Sequence, residues 1–90
     1  MVLRIDSTAE GQTRILRLSG RLGAERLEQL KAQIEANGPN VALDLEDVTL
    51  IDQDSVSFLA TCEANGVQLR QCSHYIRSWI TRERGRQEAS

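Results

Sequence analysis

Ninety residues, 40% of them apolar, with a net charge of −2, describe one domain near the lower end of what buries its own core. That balance excludes bulk attraction to nucleic acid or to an anionic membrane, and no run approaches the roughly 20 apolar residues that cross a bilayer. The opening Met1-Val2-Leu3-Arg4-Ile5-Asp6 lacks the apolar stretch of a secretory signal, so a cytoplasmic chain is expected.

Val2–Asp6 and Thr13–Leu18 alternate partially and are separated by the polar Ala9-Glu10-Gly11-Gln12, which predicts an antiparallel hairpin. Ser19-Gly20-Arg21-Leu22-Gly23 then breaks the strand period and allows a change of direction. From Ala24 to Ala36, Leu27, Leu30 and Ile34 stack on one helical face, and Glu25, Glu28, Lys31 and Glu35 take the wet side. Asn37-Gly38-Pro39 stops this helix.

Val41–Leu45 reads as a strand and Glu46–Ile51 as a loop. Asp52 is placed to cap a helix over Gln53–Ala64 that buries Val56, Leu59 and Ala60, with Phe58 and Cys62 beside them. Asn65-Gly66 ends that helix, Val67–Arg70 forms a further strand, and Ser73 caps a last helix carrying Ile76, Trp79 and Ile80. The chain from Arg82 onward is polar and expected to fray. Phe58, Tyr75 and Trp79 are the three aromatic residues, so the core must be aliphatic. The order β-β-α-β-α-β-α predicts a single α/β domain over residues 1–84, a mixed sheet of four or more strands with helices packed on it, and a polar tail over 85–90.

The run Val41-Ala42-Leu43-Asp44-Leu45-Glu46-Asp47-Val48-Thr49-Leu50-Ile51-Asp52 resembles a STAS domain, the fold of anti-sigma-factor antagonists. Leu18-Ser19-Gly20-Arg21-Leu22 resembles that family's junction before its first helix, and Gly66-Val67-Gln68-Leu69 its glycine-led return to the sheet. The resemblance covers nearly the whole chain in order and spacing. It implies a bacterial, non-enzymatic regulatory module that binds an anti-sigma, kinase-like or other regulatory protein and needs no cofactor. In the antagonist branch an Asp-Ser-Ser-Gly motif is phosphorylated on its second serine. Here the matching residues are Asp52-Gln53-Asp54-Ser55, so the phosphoserine position is Asp54, which has no hydroxyl to modify. The phosphorylation switch is then lost or locked. Another branch of the family implies an accessory subunit docked on a transporter ATPase.

Asp54 therefore has two compatible readings: a carboxylate favoured by the helix dipole, or a permanent mimic of a phosphoserine's charge. Asp52, Gln53, Asp54, Ser55, Glu46 and Asp47 are the candidate partner-binding residues. Ser55 lies one residue past the phosphosite, a turn of about 100° away.

Cys62, Cys72 and His74 offer three soft ligands at spacings unlike close Cys pairs, so a metal or small-molecule site carries little weight. A Cys72–His74 catalytic pair would need hydrogen-bond reach and an orienting third group, and both residues fall at a strand-to-helix junction, where a lone surface histidine is the commoner outcome. Residues 68–90 hold 5 bases against 2 acids, whereas residues 1–67 hold 6 against 11. The late arginines suit a solvated helix end, and this asymmetry also permits self-association of basic end with acidic patch.

Overall fold

The computed structural model describes residues 3–89, with side chains through Gln87; Val2 of the expected first strand lies outside them. The elements are β1 (Arg4–Glu10), β2 (Thr13–Leu22), α1 (Leu27–Asn37), β3 (Val41–Ile51), α2 (Gln53–Ala64), β4 (Gln68–Arg70) and α3 (His74–Ala89). One four-stranded sheet carries them in the order β1-β2-β3-β4. The hairpin β1–β2 is antiparallel, whereas β2–β3 and β3–β4 are parallel, so the predicted mixed sheet forms.

Alternation along the strands sorts the sheet into two faces. Leu16 and Leu18 of β2 point the same way as Leu43 and Leu45 of β3, and all four are buried. With strand order advancing in one direction, right-handed crossovers place α1 and α2 together on that face. Leu30 of α1, Val56, Leu59 and Ala60 of α2, and Ile76 and Ile80 of α3 complete one aliphatic core. The opposite face is polar. Asp6, Arg17, Asp44 and Arg70 form a row of alternating charge across all four strands, as cross-strand pairing favours.

Twist brings two corners of this face together. Glu10 and Arg70 sit on opposite edge strands, yet their side chains approach to 3.5 Å. Ala42, in the middle of the sheet between them, has no exposed surface.

Several expectations need correction. The first strand runs on to Glu10, so the turn narrows to Gly11-Gln12. Ser19–Leu22 does not turn away but extends β2, and Glu46–Ile51 is not a loop but the second half of β3. The two halves pair with each other through two register shifts. Each bulge admits an extra β3 residue and interrupts the simple alternation that identifies a strand in sequence. Gly20, at φ 95°, adopts beside the second shift a backbone conformation that side chains resist.

The first helix begins with a 3₁₀ turn over Ala24–Arg26 before α1 proper. Gly38 ends it in extended conformation, its amide bonding Ile34 O at 2.9 Å, and not through a left-handed cap. Gly66, at φ 98°, does supply the left-handed stop after α2. Ser73 Oγ caps α3 by accepting the Ile76 amide at 3.2 Å. That helix runs past Arg82 to Ala89. Among the described residues no helix is long and apolar enough to cross a membrane.

Candidate functional site

The carboxyl ends of β2 and β3 deliver the chain to the starts of the first and second helices, a place where α/β folds commonly carry function. Asp52 organises it. As N-cap of α2 its Oδ1 accepts the Ser55 amide at 2.9 Å, and its Oδ2 accepts the Ala24 amide at 3.0 Å. Desolvation works upward on this carboxyl. The bonds from Ser55 and Ala24 and the charge of Arg21 outweigh it, holding the pKa below the ordinary value.

Ser55 has no exposed surface, and its hydroxyl donates to the Leu22 carbonyl at 3.0 Å. Two of the four motif residues are thus turned inward, one as a cap and one as a tie to the end of β2.

Asp54 is the outward member. It is exposed in the first turn of α2 and makes no hydrogen bond or ion pair among the described residues. Gln53 is also exposed but fully engaged. Its Nε2 donates to Glu83 at 2.9 Å, and its Oε1 accepts from Trp79 Nε1 at 3.3 Å. Glu83 is buried on α3, where it also accepts from Ser57 Oγ at 3.0 Å and meets Arg86 at 3.5 Å.

A second tie joins the far end of α2 to α3. Glu63 receives two bonds of 2.7 Å from Arg77 and one of 3.1 Å from Arg84. Those guanidiniums hold its carboxyl below the usual range, and Glu63 in turn raises Arg77. The α2–α3 contact therefore carries polar ties along α2 at Gln53, Ser57 and Glu63, beside the buried aliphatic residues of the core.

Glu46 and Asp47 stand apart from this centre. They reach Arg17 at 3.9 and 3.3 Å, and Asp52 lies five positions beyond Asp47 along an extended chain, a span of about 17 Å. Asp44 accepts the Glu46 amide at 3.0 Å. The acidic run Asp44–Asp54 is divided between the polar sheet face and the start of α2. Leu50 lies nearer the start of α2: it pairs in register with Arg21 and is 62% exposed.

Sequence reasoning missed Leu50, Trp79 and Glu83 as neighbours of the motif. A signal for Glu83 existed. Ile76, Ile80 and Glu83 are spaced at i, i+4 and i+7, which puts the acid on the buried stripe of α3.

Cys62 is buried, which pushes its thiol up to about 11, and burial also raises Cys72; both are free. Among the described residues no three His, Cys, Asp or Glu side chains gather as a metal site would require. An open cleft of about 510 Å³ lies between α1 and α2, lined by Leu27, Ile34, Phe58, Cys62 and Val67 among others.

No family model matches the chain, and no curated protein matches its sequence. In structure it is similar to the anti-sigma factor antagonist SpoIIAA in its unphosphorylated form. The TM-score is 0.56 at 15% identity, covering 93% of this chain and 99% of that one. The chain has a STAS-like fold, as the motif resemblance implied.

Proposed function

We propose that the chain is a non-enzymatic regulatory module that binds a protein partner through the start of α2, with Asp54 as a fixed negative charge. The observation carrying this reading is the unequal use of the motif. Asp52 and Ser55 are consumed inside the fold, whereas Asp54 is exposed with no partner among the described residues. A carboxylate whose bonding capacity goes unused at a helix start is free to accept donors from another molecule.

The fold neighbour is an anti-sigma factor antagonist in its unphosphorylated form, which supports a regulatory binding role for the module. Asp54 presents one negative charge and two acceptor oxygens permanently, whereas a phosphoserine presents about −1.5 to −2 and three. The binding state would then be set by sequence and not by a kinase. Exposed Gln53 adjoins the charge and exposed Leu50 precedes it by four positions, whereas Glu46 and Asp47 lie apart beside Arg17 and would add a second, separate acidic contact.

Affinity capture from the source cell lysate tests this, with native, Asp54→Ser and Asp54→Lys baits compared by quantitative mass spectrometry. A regulatory partner held by the native bait and lost with Asp54→Lys is the expected result. A transport ATPase subunit in that place would assign the module to a transporter. Identical partners on all three baits would overturn the role of Asp54.

A further inference from the structure

The exposed face of α3 is complementary to itself. Tyr75, Ser78, Trp79 and Arg82 recur at i, i+3, i+4 and i+7, so they form one ridge along the helix. Tyr75 is 65% exposed, and its ring meets Trp79 with centroids 5.7 Å apart. The four residues line a shallow cleft of about 440 Å³. The indole does not swing freely, because its Nε1 donates to Gln53.

Charge separates Arg82 from the other arginines of α3. Arg77 and Arg84 bind Glu63, and Arg86 binds Glu83. Arg82 is exposed and has no ion-pair partner among the described residues. Exposed Tyr75, this guanidinium and the outer part of Trp79, whose remainder packs against the core, thus share one surface, a composition typical of protein contacts.

We propose that this face pairs with the same face of a second copy, α3 against α3 in antiparallel orientation about a two-fold axis passing between Ser78 and Trp79. In that register Tyr75 of each copy lies opposite Arg82 of the other. Two symmetric cation–π contacts form, and the small Ser78 leaves room for the facing indole. One helix face is less than a standard interface buries, so the dimer is weak. The inference does not rest on the reading of Asp54.

Sedimentation velocity of the full chain from roughly 10 μM to 1 mM tests it, with Trp79 emission as a second readout. Native protein is expected to pass from monomer to dimer, with a blue shift of the indole. Tyr75→Arg sets two guanidiniums face to face and should weaken pairing at least tenfold. Tyr75→Glu replaces the cation–π contact by an ion pair and should keep the native affinity within about tenfold. Native protein that stays monomeric overturns the proposal. So does Tyr75→Arg that pairs as well as native protein, or Tyr75→Glu that pairs no better than Tyr75→Arg.

Discussion

The carboxylate of Asp52 accepts the backbone amide of Ala24, 28 residues away, at 3.0 Å. Its other oxygen caps α2 through Ser55. One side chain therefore holds the entry to the first helical segment against the entry to α2. The positions of Gln53 and Asp54 follow from it, because both lie in the turn that Asp52 starts.

Replacing Asp52 with Ala should lower stability by about 1–3 kcal/mol. Loss of the cap contributes about 1, and release of the Ala24 amide contributes the rest. Asp52→Asn keeps a neutral acceptor and should lose less than half as much. Urea midpoints of the three proteins measure the difference.

Acid should destabilise the fold through two carboxyls. Asp52 and Glu63 both titrate below their ordinary values of 3.8 and 4.5 in the folded state. The unfolded chain therefore takes up protons first as the pH falls. The stability they contribute is complete above those ordinary values and is lost as the pH drops through the folded ones. Glu63→Gln should flatten the fall in urea midpoint between roughly pH 5 and pH 3, at a cost of about 1–2 kcal/mol at neutral pH.

Neighbouring positions in the motif should differ sharply in their effect on stability. Asp54→Ser removes an unpaired surface charge and should change stability by less than about 0.5 kcal/mol. Ser55→Ala leaves the Leu22 carbonyl without its hydroxyl donor and should cost about 1–2 kcal/mol. Ser55→Asp forces a carboxylate into a position with no exposed surface and should cost about 3 kcal/mol or more. Thermal melts of the three variants rank them.

The two thiols should differ in reactivity. With its thiol pushed up to about 11, Cys62 is thiolate in roughly one molecule per thousand at pH 8, and it is buried as well. Cys72 is only partly buried and should react with a disulfide reagent at least tenfold faster. Equal rates would mean that α2 opens readily from the core. Peptide mass spectrometry of the mixed disulfides over time reads both sites.

Short-range chemistry made much of the architecture legible before the structure. The α2 start at Asp52 and its stop at Asn65-Gly66 lie within one turn of the groups that cap them, and the buried stripe Val56, Leu59 and Ala60 repeats at helical spacing. The Ser73 cap of α3 was readable for the same reason. The second halves of β2 and β3 were not, because two bulges break the alternation and each half is held by the other strand.

The sequence by itself determined which segments form helices, where α2 begins, and that the position matching the phosphoserine carries a carboxylate. Those properties depend on residues adjacent in the chain. Tertiary structure decided how the motif is used. Only after β2, α2 and α3 come together does Ser55 meet Leu22, Gln53 meet Trp79 and Glu83, and Asp52 meet Ala24. Asp54 is left facing solvent by the same packing. Each of those contacts joins residues 26 or more positions apart, and no local pattern encodes a partner at that separation.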